Sequence, residues 1–277
     1  MPKHRDLVAV AERAAERAAR FIREAPRPDP SAWDRKEAAD FVTHIDRESE
    51  RMIREDLLTA HPESAVMGEE LGSDDPTTTL VWIVDPLDGT TNYLHGYPAY
   101  AVSIGIRLNG RLAGGVVIDV SRGLCYSGCS ALGAWHSALG APPSAAAEPM
   151  RVSSVTDPEH ALIGTGFPFK HPALLHLGRW TREFLHVLGA TSGVRRAGSA
   201  ALDLADVAHG RFDGFWEYGL APWDLAAGAV LVREAGGRVT DLDGDDLHGP
   251  PAEGPIVAGN PAIHEWLLTR LRTLHDT

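Results

Sequence analysis

The chain reads as a mixed protein, with an α+β first half and an α/β second half. Three observations carry that reading. Apolar residues recur at helical spacing near the N-terminus, ahead of a strand-rich region. Two apolar runs flank Asn109-Gly110, a strong two-residue hairpin signature. Beyond a connector rich in Ala, Pro and Ser at 140–149, helical and strand patterns alternate. The connector divides the sequence into 1–145 and 146–277. With 277 residues, 44% of them hydrophobic, the chain can bury one large core or two modest ones.

Residues 6–25 are predicted as a helix. Leu7, Val10, Ala11, Ala14, Ala18, Phe21 and Ile22 share one face, and Glu12, Arg13, Arg17 and Arg20 lie opposite. Pro26, Pro28 and Pro30 end it. A second helix is predicted over 46–60, with Met52, Ile53, Leu57 and Leu58 turned inward. The first strand is placed at 81–84, followed by 101–108, its return at 112–120, and shorter strands at 123–128 and 133–137. After the connector come a strand at 161–165, helices at 171–188 and 199–208, and a strand at 213–217. A helix at 223–235 is stopped by Gly236-Gly237. Strands at 237–240 and 255–258 and a helix at 262–274 close the chain.

Lys and Arg number 26 against 38 Asp and Glu, a formal charge of −12. That balance disfavours nucleic acid as a partner, because such binding needs clustered cations. No apolar run of about 18 residues is present, so no membrane span is expected. The opening Met1-Pro2-Lys3-His4-Arg5-Asp6 leads into a charge-interrupted stretch without a secretory core, and cytoplasmic residence is expected. Cys125 and Cys129 would stand roughly 13 Å apart on a strand, too far for a disulfide, and are read as reduced thiols.

The most informative residues are Asp85-Pro86-Leu87-Asp88-Gly89-Thr90-Thr91-Asn92, which follow the apolar run Leu80-Val81-Trp82-Ile83-Val84. Two carboxylates at the end of a buried strand need a partner, since an isolated buried charge is costly to desolvate. A hard divalent cation is the economical one. Asp224, read alone, is an ordinary helix cap after Pro222, and Glu69-Glu70 read alone are a solvated loop.

Taken together, Gly68-Glu69-Glu70, then Trp82-Ile83-Val84-Asp85-Pro86-Leu87-Asp88-Gly89-Thr90-Thr91-Asn92-Tyr93, then Pro222-Trp223-Asp224-Leu225-Ala226-Ala227-Gly228 resemble the inositol monophosphatase family in order, spacing and identity. Asp40-Phe41-Val42-Thr43-His44-Ile45-Asp46 resembles its upstream element, and Gly198-Ser199-Ala200-Ala201-Leu202-Asp203 its substrate-side loop. The likeness spans roughly 36 to 240. It implies a layered α-β-α-β-α sandwich of the sugar-phosphatase type. It also implies magnesium-dependent hydrolysis of a phosphate monoester by metal-activated water, with no phosphoenzyme. Two or three Mg2+ ions would bind per site, with Mn2+ as a substitute.

The resemblance carries roles to matching positions. Glu69 would bind the first metal, Asp85 would bridge two, and the Leu87 carbonyl would complete the first site. Asp88 and Asp224 would hold the second. Thr90 and Asp46 would orient the attacking water, and the Gly89 and Thr90 N–H groups would face the phosphate. Glu217, Ser199 and Ala200 would lie beside the substrate alcohol. Homodimer formation and lithium inhibition are implied as well. Two dications about 4 Å apart repel by roughly 17 kcal/mol at an effective dielectric near 20, so four carboxylates and a phosphate are what such a site requires.

Other signals carry less. Gly164-Thr165-Gly166 is followed by Phe167-Pro168 rather than a helix start, which argues against a dinucleotide fingerprint. Asp241-Leu242-Asp243-Gly244-Asp245-Asp246 lacks the glutamate of a calcium loop, since position 250 is Pro, and is read as a polar turn. His95 is read as a loop residue, and Lys36 matches a lysine of some relatives by position alone. Thr91 resembles the inositol phosphatase pattern, where histidinol-phosphate relatives often carry Lys, a carboxylate at Glu217 suits a polyol, and myo-inositol 1-phosphate is the expected substrate. Fructose 1,6-bisphosphate, histidinol phosphate, nucleotide phosphates or NADP are the alternatives within the fold, and a non-catalytic binding module is a remote one.

Overall fold

A computed structural model describes residues 4–37, 40–75, 77–141, 147–168, 177–247 and 255–275, with only the backbone described over 35–37 and 40–42. The first two helices form where the apolar spacing places them, as α1 (His4–Glu24) and α2 (His44–Ala60). Between them lies a short antiparallel pair, β1 (Asp34–Glu37) and β2 (Asp40–Val42), which has too few residues for a strand pattern to show in the sequence. β3 (Ala65–Gly68) is likewise too short to announce itself. It runs parallel to β4 (Leu80–Asp88), which extends through the acidic motif rather than stopping at Val84.

After the short α3 (Thr90–His95), strands β5 (Ala101–Leu108), β6 (Arg111–Asp119), β7 (Leu124–Cys129), β8 (Gly133–Ala138) and β9 (Glu148–Pro149) continue the sheet antiparallel, in the order β3 to β9. The turn between β5 and β6 has φ 53° at Asn109 and 77° at Gly110. Both central residues are left-handed, the geometry that matches strand twist in a tight hairpin. The predicted connector therefore ends in a strand, with Pro149 opposite Trp135, and 142–146 lie outside the described residues.

A second sheet contains β10 (Leu162–Thr165), β11 (Gly193–Arg195), β12 (Gly214–Tyr218), β13 (Arg238–Thr240) and β14 (Pro255–Gly259), in the order β11-β10-β12-β14-β13. β10 is parallel to both its neighbours, and β14 is antiparallel to both of its own. The three-residue β11 is too short for strand alternation to show in the sequence. The helices are α4 (Leu177–Ala190), α5 (Ala200–Ala208), α6 (Pro222–Glu234) and α7 (Pro261–His275). The helix expected over 171–188 is described from Leu177 to Ala190, and 171–176 lie outside the described residues.

Strand alternation sorts the layers. Leu7, Ala11, Ala18, Ile53 and Leu57 of α1 and α2 pack on Trp82, Val84, Val102, Ile104 and Ile118. The opposite face of that sheet, with Ala101, Val117 and Tyr126, shares a core with α5, α6 and the inner residues Phe215, Val239, Ile256 and Ala258 of the second sheet. Trp180 and Val187 of α4 and Ile263 and Leu267 of α7 cover the outer residues Ile163, Trp216 and Val257. The result is the expected α-β-α-β-α sandwich. Every residue of α5 is buried, as befits a helix clamped between two sheets. Cys125 and Cys129 are buried free thiols, and burial pushes Cys125 up to about 12.

Candidate metal centre

The parallel pairing of β3 with β4 sets the first pair of acids. Gly68 lies opposite Val84, and the Glu69 N–H donates to the Val84 carbonyl at 3.2 Å. Glu69 therefore leaves its strand beside Asp85. In a regular strand, Asp85 and Asp88 would face opposite sides, because side chains alternate. The ladder to β5 runs Asp85↔Ser103 and then Asp88↔Ala101, three residues against two. This bulge, at Pro86-Leu87, reverses the parity of the strand and brings both carboxylates to one place. Gly89 then turns left-handed at φ 88°, where a Cβ would fall 2.7 Å from the Ala99 carbonyl, so the motif needs glycine here.

Asp224 comes from the other half of the chain. It stands in the first turn of α6, and its Oδ2 accepts from the Ala221 N–H at 2.7 Å, so the capping role read from sequence is real. The helix can approach the sheet because the residues beneath it have no side chain. A Cβ at Gly105 would fall 2.4 Å from Ala226 Cβ, and one at Gly115 would fall 2.6 Å from the Ala227 carbonyl. The Ser103 hydroxyl donates to the Trp223 carbonyl at 3.3 Å and ties β5 to the start of α6.

Asp85, Asp88 and Asp224 each offer a carboxylate oxygen within 4.8 Å of the others. Asp85 is 2% exposed and Asp88 9%. Burial, then the charges of Glu69, Asp88 and Asp224, hold Asp85 well above the ordinary carboxylate range. Crowded, mutually repelling oxygen donors, Asp85 and Asp88 buried and Asp224 half-buried, fit a hard dication. Beside them, the Thr90 hydroxyl lies 2.8 Å from Asp46 Oδ1 and 3.0 Å from the Leu87 carbonyl. Asp46 Oδ2 accepts from both the Thr43 N–H and the Thr43 hydroxyl. Burial raises Asp46, and the hydrogen bonds from Thr43 and Thr90 oppose it.

The expected substrate-side residues divide. The Ser199 hydroxyl, buried, donates to Asp88 Oδ2 at 2.6 Å, and the Ala201 N–H donates to the same oxygen at 2.8 Å. Ser199 also caps α5. Ala200 is buried next to it, and Glu217 is half-buried on β12, above Gly166, where a Cβ would fall 1.7 Å from its Oε1. Asn92, quoted in the motif without a role, donates to the Ala99 and Ala197 carbonyls at 2.6 and 2.9 Å and stitches α3 to the loop before α5. The His95 ring packs edge-on against Trp33. The Lys36 side chain lies outside what the structure describes. The 241–246 segment is a polar turn closed by the Asp245 N–H on Asp241 Oδ1.

The model of the inositol monophosphatase family matches residues 3–276. The chain belongs to that family. As an inositol monophosphatase family member it is 43% identical over 267 residues to the Nus factor SuhB of Pseudomonas aeruginosa, covering 95% of this chain and 94% of that protein. It is 44% identical over 235 residues to the inositol-1-monophosphatase of Rhizobium meliloti, covering 84% and 83%. Among solved structures, the extragenic suppressor protein suhB of Bartonella henselae superposes with a TM-score of 0.85 at 36% identity, over 96% of this chain and 98% of that one. The Thermotoga maritima IMPase superposes at 0.84 and 28% identity, over 98% of each. Among the described residues, no helix is long and apolar enough to cross a membrane.

Proposed function

We propose that this protein is a magnesium-dependent phosphate monoester hydrolase acting on a phosphorylated polyol, with myo-inositol 1-phosphate the favoured substrate. The observation that carries the reading is the meeting of Asp85, Asp88 and Asp224 within 4.8 Å, next to the Thr90–Asp46 pair. Glu69, Asp85, the Leu87 carbonyl, Asp88 and Asp224 would hold the cations. Bound there, divalent ions supply Lewis-acid activation of water and neutralise phosphate charge.

The chain's own groups do the rest. Asp46, fixed by three hydrogen bonds, orients the Thr90 hydroxyl; as the attacking water gives a proton to the Thr90 oxygen, the hydroxyl's own proton passes to Asp46 Oδ1. The Gly89 and Thr90 N–H groups open α3, where backbone donors have no partner within the helix and suit a phosphate. Ser199 and the Ala201 N–H hold Asp88 in place from behind. Glu217, at the end of β12, offers a carboxylate to vicinal hydroxyls. The relative named inositol-1-monophosphatase supports the same substrate.

A panel of phosphate monoesters assayed with Mg2+ tests this reading. Inositol 1-phosphate should lead in kcat/KM, and a clear preference for histidinol phosphate or fructose 1,6-bisphosphate would replace the substrate. Thr90→Val should lower kcat by about 10²-fold or more, the usual worth of a positioned proton acceptor, with little change in KM. Inorganic phosphate should tighten Mg2+ binding, since it adds negative charge between the cations, and superimposable titrations would count against a shared site. Lithium titration and sedimentation analysis test the inhibition and the homodimer that belong with this reading.

A second reading comes from the relatives named Nus factor SuhB. In it, the chain acts by binding a partner and its chemistry is dispensable. A catalytically dead Asp88→Asn protein that still performs the cellular task would favour it.

A further inference from the structure

The N-terminal part of α2 does more than carry Asp46. Asp46, Ser49 and Glu50 stand at i, i+3 and i+4, on one face of the helix, and all three are buried. Each grips a different part of the segments around the acids, Asp46 a side-chain hydroxyl and Ser49 and Glu50 the backbone. Asp46 binds Thr90. The Ser49 hydroxyl donates to the Pro86 carbonyl at 3.0 Å, inside the bulge between Asp85 and Asp88. Glu50 reaches the loop after β3, where its Oε2 accepts from the Glu70 N–H at 2.7 Å and its Oε1 from the Leu71 N–H at 3.2 Å.

Glu50 is 0% exposed, and a buried carboxylate is costly unless its environment uses it. Here the environment is built around it. Arg54 lies 3.5 Å from Oε1 and is itself held by Asp74 and the Gly72 carbonyl. Gly68 leaves the necessary space, since a Cβ there would fall 1.9 Å from Glu50 Oε1. Glu69 is thus bracketed. Its own N–H is pinned to Val84, and the next two N–H groups are pinned to Glu50.

We infer that Glu50 is a positioning residue that fixes the backbone immediately after Glu69, presents the Glu69 carboxylate to Asp85, and thereby sets the divalent-cation affinity of the site. The inference rests on the metal-centre reading above. Ser49 does the same for the bulge, so one helix face sets the separation of the two acid-bearing segments.

The test is Mn2+ binding to the full-length protein, followed by calorimetry and electron paramagnetic resonance below the melting transition, with thermal melts alongside. Glu50→Gln loses one charge-assisted hydrogen bond and should weaken Mn2+ binding about tenfold or more. kcat at saturating Mg2+ should stay within about threefold, because no group that touches substrate has been removed. Gly68→Ala keeps every charge but displaces the Glu50 carboxylate, and should weaken Mn2+ binding in the same direction. In a Glu50→Ala background, Gly68→Ala should cost little more, since its methyl then enters vacated space. Wild-type Mn2+ affinity in both Glu50→Gln and Gly68→Ala, even with lowered melting temperatures, would overturn the inference and leave the metal centre standing. No Mn2+ binding by the unmodified protein, or binding undiminished by Asp85→Asn, would bring down the metal centre itself and this inference with it.

Discussion

Asp88→Asn should reduce phosphate release by roughly 10³-fold or more, a loss of about 4 kcal/mol in transition-state stabilisation, while the fold persists. The substitution is nearly isosteric. The amide oxygen of Asn can still accept from the Ser199 hydroxyl and the Ala201 N–H, which now bind Asp88 Oδ2. What disappears is one negative charge from a cluster whose members lie within 4.8 Å. Turnover within tenfold of wild type would show that Asp88 is not a ligand.

The same charge crowding gives a signed prediction for the metal-free protein. Asp85 is held well above the ordinary carboxylate range by burial and by Glu69, Asp88 and Asp224. The folded chain therefore binds this proton more tightly than the unfolded chain does. The contribution of Asp85 to stability is greatest below its unfolded value of about 4 and falls as pH rises toward the folded value. Asp203, held up by burial and by the charges of Glu217, Asp206 and Asp88, acts in the same direction. Asp85→Asn should raise the melting temperature of the metal-free protein, more at pH 8 than at pH 5, and should remove the stabilisation that Mg2+ gives to wild type. A melting temperature lowered by Asp85→Asn in chelator would contradict this account.

The second large effect is expected at a glycine that carries no functional group. Gly115→Val should destabilise the protein by about 3 kcal/mol or more and lower the melting temperature by roughly 6–12 °C. A Cβ at 115 would fall 2.7 Å from Ala227 Cα and 2.6 Å from its carbonyl oxygen, both backbone atoms that no rotamer change can move. Gly105 faces Ala226 as closely, so the two glycines form a cradle for α6. Lifting α6 also withdraws Asp224, which stands in its first turn. Loss of activity should therefore exceed what the residual folded fraction explains, and Mg2+ affinity should fall with it. A Gly115→Val protein that melts within about 2 °C of wild type and binds Mg2+ normally would show that α6 has slack.

Much of this was legible in the linear chain. The helical period of α1 and of the second half of α2, the Asn109-Gly110 hairpin, and the Gly236 stop after α6 are short-range signals, fixed by local sterics and by which residues within a few positions are apolar. The identities of Glu69, Asp85, Asp88, Thr90 and Asp224 could be named because they sit in spaced motifs. The small strands β1, β2, β3 and β11 could not, being too short for alternation to show.

Tertiary structure alone decided how these residues meet. A continuous strand would put Asp85 and Asp88 on opposite faces, and the three-against-two register with β5 is what turns both to one place. Asp224 reads as a cap until Gly105 and Gly115 let its helix settle on the first sheet. Ser199 reads as a substrate contact, whereas its hydroxyl turns inward to Asp88. Glu50 carries no signal in the linear chain, yet it is buried against the Glu69 loop. Composition and spacing choose the donor atoms. Register, bulges and the distance at which layers pack choose where those atoms point, and they depend on partners far away in sequence.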